Sequence, residues 1–302
     1  MTSVVRVAAL LACLGSASMS RAAPREMPDG ALIEKLTGAR GQFDASEGVF
    51  KVSVPRTDLR VTVAGSRIVP AQGLTSWAAF EGPSLDARVM GDLVLTEDQV
   101  NPVMSVALEN GLEVTALHNH FFWDSPRVMF MHIGGMGNVG VLASAVGKVL
   151  EKMKATSGGR GDVLGASVDP AGTTLDPARI EAILGGHGAS GGGVYKVVFG
   201  RGTSMGGMPA GNAMGVNTWA AFAGSDDRAV VDGDFAVLET ELQPVLKALR
   251  AAGIAIVAIH QHMTGESPRM LFLHYWGVGT TTDLARGLRS ALDRTSVQIR
   301  PR

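Results

Sequence analysis

The 302-residue chain contains one cysteine and two tyrosines, and its formal net charge is only −1. One cysteine cannot form an intramolecular disulfide, and it excludes zinc or iron–sulfur sites built from several thiolates. The near-zero charge argues against the basic surface that nucleic-acid binding requires. Beyond residue 23, no uncharged apolar run reaches the roughly 18 residues of a membrane-spanning helix. We therefore expect no nucleic-acid partner and no transmembrane segment in the mature chain.

The first 23 residues have the features of an export signal. Arg6 precedes an apolar run from Val7 to Gly15, and small residues follow as far as Ala23. We therefore predict a signal peptide over residues 1–23 and a periplasmic or secreted protein. The segment ending at Cys13 loosely resembles a lipobox, but the apolar run before it starts only at Val7. Lipoprotein anchoring is therefore the less favoured alternative.

The chain contains an internal duplication. With an offset of 142 positions, residues 77–132 align without a gap with residues 219–274, and 21 of the 56 pairs are identical. Upstream matches continue at offsets of 145 and 147, which places short insertions in loops. We predict repeat one over residues 28–154 and repeat two over residues 177–296. Residues 155–176 are rich in Gly, Ser, Thr and Asp, which is typical of a linker.

Each repeat shows a mixed pattern of helices and strands. Single helices separate the strand-like runs, and residues 112–121 and 127–133 predict adjacent strands joined by a turn. This pattern predicts an α+β fold, a tandem duplication of a mixed, mostly antiparallel sheet unit with helices, related by a pseudo-twofold axis. The equivalent residues Trp77 and Trp219 are expected in the core. Two separate domains and one fused sheet both remain consistent with the sequence.

Six of the seven histidines occupy equivalent positions in the two repeats: His118, His120 and His132, and His260, His262 and His274. Alternate residues of a strand point to one face, so the first two imidazoles of each set share a face. Three converging imidazoles bind Zn²⁺ or another divalent metal and leave a coordination position open, as in catalytic sites. Ordinary sheet histidines are the alternative. Metal binding is favoured because the pattern occurs in both copies while most neighbouring residues differ.

The spacing also predicts how the histidines face each other. If Pro126 is the centre of the turn, His120 lies opposite His132, and His118 lies on the diagonal. Directly opposed side chains have Cβ atoms about 4.5–5.5 Å apart, close enough for their rings to share one ion.

Four further pairs of equivalent polar residues are candidates to complete the sites: Asp124/Glu266, Glu97/Glu239, Asp92/Asp234 and Arg127/Arg269. The turn acids Asp124 and Glu266 are candidate general bases, and Glu266 has the longer reach because it has one more methylene. Glu97 and Glu239 are further candidate bases. Both also suit a helix N-terminus, where carboxylates interact favourably with the helix dipole.

The remaining two pairs carry other expectations. Arg127 and Arg269 are candidates for clamping a substrate carboxylate or phosphate, with a solvated surface charge as the alternative. Asp92 and Asp234 each follow a glycine, and a Gly-Asp turn is their expected role. The other interpretations of these two acids are a fourth metal ligand, a general base, or a hydrogen-bond partner that orients a ligand histidine.

The stretch from Ala258 to Gly277, together with its copy at Ala116 to His120, resembles the LppY/LpqO family. The residues that carry the resemblance are His260-Gln261-His262, Glu266-Ser267-Pro268-Arg269 and Phe272-Leu273-His274-Tyr275-Trp276-Gly277. The resemblance covers nearly the whole mature chain. It implies an exported bacterial protein, lipid-anchored in some members, with a domain of unknown function. It supplies no activity, so the mechanism must be argued from the residues.

Two functions are consistent with these features. The first is an exported metalloenzyme that uses Zn²⁺ on its three-histidine sites for hydrolysis or lyase chemistry on a small anionic substrate. The second is a non-catalytic periplasmic module that binds a metal or another ligand. Open coordination positions and paired acids favour the enzyme.

Overall fold

The structure of the protein, a computed structural model, describes residues 27–297. The predicted signal peptide, residues 1–23, lies outside the described residues. Within them the α-helices are α1 (Gly30–Thr37), α2 (Glu97–Glu109), α3 (Val139–Ala155), α4 (Pro177–Leu184), α5 (Glu239–Ala251) and α6 (Thr281–Leu292). No helix in this part of the chain combines the length and the apolar character needed to cross a membrane.

The strands fall into two equivalent sets. The first set is β1 (Gly41–Asp44), β2 (Val49–Pro55), β3 (Thr62–Val63), β4 (Ser66–Arg67), β5 (Thr75–Glu81), β6 (Ala87–Thr96), β7 (Glu113–His118), β8 (Asp124–Ser125) and β9 (Val128–Gly137). The second set is β10 (Gly188–Gly191), β11 (Val194–Gly200), β12 (Thr203–Met205), β13 (Met208–Ala210), β14 (Asn217–Gly224), β15 (Ala229–Leu238), β16 (Ala255–His260), β17 (Glu266–Ser267) and β18 (Met270–Gly279).

Twelve strands of the described chain form one sheet, in the order β1-β2-β5-β6-β9-β7-β16-β18-β15-β14-β11-β10. Neighbouring strands pair antiparallel throughout. The predicted α+β fold with a mostly antiparallel sheet is therefore confirmed. The repeats share one sheet because β7 pairs with β16, where Leu117 faces its own equivalent, Ile259. Two short sheets, β4-β3-β8 and β13-β12-β17, lie beside it.

The main hydrophobic core lies between the helices and one face of the sheet. Leu93, Leu117 and Met131 point into this core and are almost completely buried. Because side chains alternate along a strand, His118 and His132 point to the opposite side. We call this side the open face. A smaller cluster covers part of it in repeat one: Val61, Leu74, Val94, Val128 and Phe130.

Local sequence signals fix several helix ends. The side chain of Asp29 accepts a hydrogen bond from the backbone N–H of Leu32 at the start of α1. Asn138 caps α3 in the same way, accepting from the N–H of Gly140. Gly111 follows α2 with φ +81°, a left-handed conformation that glycine adopts without steric cost. These ends set the points at which the chain returns to the sheet.

A reciprocal pair of amide side chains reinforces the contact between β7 and β16. Asn101 in α2 donates to the Ile256 carbonyl (3.2 Å) and accepts from the Ile256 N–H (2.8 Å). Gln243 in α5 donates to the Val114 carbonyl (2.9 Å) and accepts from the Val114 N–H (3.0 Å). Asn101 and Gln243 are equivalent positions, so each repeat satisfies backbone groups of the other.

Asn101→Ala and Gln243→Ala are each expected to lower the free energy of unfolding by about 1–3 kcal/mol, because buried backbone groups lose their partners. The affected residues, Ile256 and Val114, are almost fully buried. Urea denaturation measures the loss, and Gln42→Ala, at an exposed position of β1, is the control. If both amide variants are as stable as the control, the side chains of Asn101 and Gln243 do not stabilise the contact between β7 and β16.

Candidate metal centres

The histidines of repeat one form one cluster on the open face. His118 ends β7, His132 lies on the neighbouring β9, and their Nε2 atoms are 3.1 Å apart. His120 lies two residues beyond the end of β7, and its ring centroid is 5.2 Å from that of His118. The structure therefore brings together all three histidines that the sequence singled out in this repeat.

The histidines of repeat two form an equivalent cluster. The Nε2 atoms of His260 and His262 are 3.1 Å apart, and the ring centroids of His260 and His274 are 4.9 Å apart. Nδ1 of His274 lies 3.4 Å from the Gly233 carbonyl, and donation to that oxygen makes Nε2 the unprotonated nitrogen. A ligand histidine is commonly oriented in this way.

The distances between the nitrogens suit a shared ion. Two imidazole nitrogens at about 2.0–2.1 Å from one Zn²⁺ ion lie about 2.9–3.4 Å apart for bond angles of about 90–110°. The 3.1 Å separations of His118 from His132 and of His260 from His262 fall inside this range. In each repeat, one pair of imidazole nitrogens is therefore separated by a distance that suits a shared divalent ion.

A phenylalanine supports the histidine that lies beyond each strand. The ring of His120 stacks on Phe130 with centroids 3.3 Å apart, and His262 stacks on Phe272 at 3.5 Å. Both phenylalanines are almost completely buried. A buried aromatic ring therefore holds each loop histidine against its strand partners.

Each cluster contains an aspartate for which we expected a different role. Asp92 and Asp234 were predicted in Gly-Asp turns, but they lie within β6 and β15, directly opposite His132 and His274. The turn prediction was wrong because pairing with the next strand, which local sequence does not reveal, determines the conformation of the Gly-Asp dipeptide. One sequence feature could have indicated their role: an aspartate occurs at the same position in both repeats, within a run that alternates apolar and polar residues.

Asp234 lies closer to the histidines of its cluster than Asp92 does. Its Oδ2 lies 3.6 Å from Nε2 of His262, and one ligand atom each from Asp234, His260 and His274 fall within 4.8 Å of one another. In repeat one, Oδ1 of Asp92 lies 4.0 Å from Nε2 of His132. Oδ1 of both aspartates is buried without a hydrogen-bond partner in the described part of the chain. Such unpaired buried oxygens favour a bound cation.

The electrostatic environment favours neutral imidazoles. Burial, together with repulsion from His274 and His262, lowers the pKa of His260 to about 4. Burial also lowers the pKa of His262, and burial with repulsion from His118 lowers the pKa of His120. Burial raises the pKa of Asp234 to about 6, against the attraction of His274. Neutral imidazole is the form that binds a metal, so these histidines need not lose a proton near neutral pH.

The register of the histidines differs from the predicted one. Ala116, and not His120, lies opposite His132. The simple hairpin was wrong because β7 ends at His118, and the chain then leaves the sheet. Residues 124–125 form β8, which pairs with β3 instead of extending the hairpin. A register shift between Val114 and Ala116 displaces β7 further.

Trp77 and Trp219 were expected in the core, but both are only half-buried. Each lies opposite the aspartate of its repeat, so alternation places the tryptophans on the open face. The Nζ of Lys51 lies 4.2 Å from the Trp77 ring centroid, and that of Lys196 lies 3.9 Å from the Trp219 ring centroid. A cation–π contact therefore covers part of each half-buried indole on the open face.

The predicted turn acids hold the backbone beside the clusters. Asp124 accepts a hydrogen bond from the N–H of Val128 (2.7 Å), and Glu266 accepts from the N–H of Met270 (3.1 Å). These contacts give both carboxylates a role in the turn between the short strand and the long one. Their role as general bases stays a prediction.

The other four candidates lie at the ends of the strands. Arg127 Nη1 is 3.7 Å from Glu97 Oε1, and both residues line a cavity of about 590 Å³. Arg269 lines a smaller cavity of about 250 Å³ with Glu266, and Glu239 is exposed at the start of α5. Among the described residues lining these two cavities, none is a histidine of the clusters. The structure therefore does not place these candidates together with the imidazoles.

One family matches the chain twice, over residues 31–152 and 178–294, and it is described as Domain of Unknown Function (DUF1259). No curated protein shows significant similarity to the chain. The two matched segments together cover more than half of the sequence and contain one histidine cluster each. The chain thus belongs to the family of Domain of Unknown Function (DUF1259) and carries that domain as an internal repeat.

Proposed function

We propose that each repeat binds one divalent metal ion, with Zn²⁺ the best-suited metal, through its three histidines. The observation that carries this proposal is the closeness of two ring nitrogens in each repeat, 3.1 Å between His118 and His132 and between His260 and His262. The neighbouring aspartate supplies a further oxygen ligand, and Asp234 lies closest to its histidines. Imidazole nitrogen and carboxylate oxygen are both ordinary ligands of zinc.

We further propose that the loaded protein is a metalloenzyme for hydrolysis or lyase chemistry on a small anionic substrate. His120 and His262 are exposed on the open face, so a substrate has direct access to both clusters. A divalent ion supplies a Lewis acid there, and zinc accepts a fifth ligand during catalysis. The non-catalytic binding module remains the second candidate, because both centres lie on an open surface instead of in a deep, water-excluding pocket.

Elemental analysis of the mature protein after metal-replete expression tests the metal sites, and about two equivalents per chain are expected. A protein without metal would contradict the proposal. Hydrolysis of a panel of phosphate and carboxylate esters by metal-loaded and chelator-treated protein then tests catalysis. Turnover that is lost with the metal supports the enzyme. Full loading without turnover, combined with binding of the ester's anionic product, supports the binding module.

Asp234→Asn is expected to weaken metal binding by the repeat-two centre about 10–100-fold, because an amide oxygen replaces a charged ligand next to His262. Competition with a chromophoric zinc chelator measures the affinity, in a His120→Ala background that removes the repeat-one centre. Glu266→Gln is the matched control and should keep the affinity, since Glu266 binds the backbone of Met270. The reverse pattern would make Glu266 the metal ligand.

Three further properties belong to this proposal. We infer export through residues 1–23, as the signal-like sequence indicates, and membership of the exported LppY/LpqO group, on the histidine signature that resembles it. We also propose that a pseudo-twofold axis relates the repeats. The strand order supports the axis, because equivalent strands of the two repeats follow one another in the same order when the sheet is read inward from its two edges.

A further inference from the structure

The larger of the two cavities described above lies outside the metal clusters, at the junction of the repeats. It forms where β7 ends and residues 119–123 leave the sheet, opposite Ile256 and Val257 of β16. Its volume of about 590 Å³ is that of a site for a small molecule. Most of its lining is apolar, with Val100 and Met129 beside the aromatic residues of the loop.

The loop over this cavity carries aromatic side chains at a conformational cost. Phe122 is 73% exposed and Trp123 is 78% exposed. Trp123 also has φ +62°, a left-handed conformation that is unfavourable for a residue with a side chain. The equivalent residue in repeat two is Gly265, with φ +78°, so the turn itself requires no side chain there. The chain thus keeps an exposed indole beside the cavity at a position where repeat two shows that glycine suffices.

The polar part of the cavity offers one charge of each sign. Arg127 and Glu97 lie on its wall with their nearest charged atoms 3.7 Å apart. More than half of each side chain is exposed, and a single long contact leaves the other guanidinium donors of Arg127 available. The complementary ligand carries an anionic and a cationic group close together, next to an apolar body.

We propose that this cavity binds a free α-amino acid with an aromatic or large apolar side chain. The ligand carboxylate pairs with Arg127, the ligand ammonium pairs with Glu97, and the side chain packs between Met129 and Trp123. The carboxylate and ammonium of an α-amino acid are separated by one carbon, which matches the adjacent charges on the wall. This site is independent of the metal centres and of the reaction proposed for them.

The corresponding region of repeat two supplies a natural control. Glu239 and Arg269 keep the two charges, but Thr264 and Gly265 replace the aromatic residues. The cavity beside Arg269 is only about 250 Å³. We therefore expect one amino-acid site per chain and not two.

Isothermal titration calorimetry of the mature protein with L-phenylalanine, 3-phenylpropionate and phenethylamine tests the proposal. L-Phenylalanine is expected to bind about tenfold more tightly than either analogue, since each analogue lacks one of the two charged contacts. Arg127→Gln should reduce the affinity for L-phenylalanine to about that for phenethylamine. Trp123→Gly should weaken all three ligands and still fold, because glycine is the residue of repeat two. Arg269→Gln should leave the affinity for all three ligands unchanged.

Three results would overturn the proposal: no binding of L-phenylalanine at millimolar concentration, equal affinity for all three probes, or binding that Trp123→Gly leaves intact. Chelator treatment separates this site from the metal centres. Binding that survives chelation supports an independent site, whereas binding that disappears with the metal places the ligand on the histidine clusters and contradicts the assignment.

Discussion

The His262→Ala variant is expected to retain about one metal equivalent per chain, against the two equivalents expected for the unmodified protein. Removal of one imidazole leaves His260 and His274 as the nitrogen ligands of repeat two, and two imidazoles hold zinc less well than three. The variant should still fold, because His262 lies on the exposed side of the buried Phe272 ring. Elemental analysis after dialysis measures the loss.

Two further variants define the result. His120→Ala should remove the ion of repeat one, and the double variant should retain essentially none. His187→Ala is the matched control, since His187 is the seventh histidine, lies outside both clusters and contacts Glu181 at 2.9 Å. Loss of both ions from His262→Ala alone would show that the repeats share one centre. Loss of metal from the His187→Ala variant would show that the metal is not bound specifically by the two histidine clusters.

Gly233→Ala is expected to lower the free energy of unfolding by about 3–5 kcal/mol, through overpacking and the loss of a buried hydrogen bond. A Cβ at this position would lie 2.3 Å from the Trp219 carbonyl oxygen and 2.1 Å from the Tyr275 hydroxyl. That hydroxyl donates to the same carbonyl at 2.9 Å. The new methyl group therefore displaces both the hydrogen bond and the backbone of β14. Urea denaturation gives the change in stability.

Because Gly233 directly precedes Asp234, the variant should also weaken the repeat-two metal centre. Gly134→Ala is the control, since its Cβ would meet nothing nearer than the Val89 carbonyl oxygen at 3.8 Å. Its stability should stay within about 0.5 kcal/mol of the parent. A Gly233→Ala protein with the parent's stability would mean that Tyr275 does not occupy the space above this glycine.

The repeat, the fold class and the histidine clusters follow from the sequence because they depend on equivalence and periodicity. The sequence placed both histidines of each His-x-His set within one strand; in the structure His118 and His260 end their strands, and His120 and His262 lie two residues beyond. A pattern present in two copies also separates the clustered histidines from His187 without knowledge of any contact.

The misplaced residues depend on pairing between strands that are distant along the chain. Asp92 is placed opposite His132 by the register between β6 and β9, some 40 positions apart along the sequence. The departure of the chain after His118 depends on a partner for β8 that lies near residue 62. The residues next to Asp92 and His118 do not specify which distant strand pairs with them. The half-buried position of Trp77 likewise depends on Lys51 from the neighbouring strand.

The pairing of β7 with β16 has a consequence for the halves of the protein when they are separated. An isolated repeat one would present β7 as an edge strand with unpaired backbone groups, and natural edges of this kind associate with other strands. The partner opposite Leu117 in the intact chain is its own equivalent, so a second copy of the same repeat offers a matching edge. We therefore expect isolated repeat one to form a homodimer in which β7 of one copy pairs with β7 of the other, as β7 pairs with β16 in the intact chain.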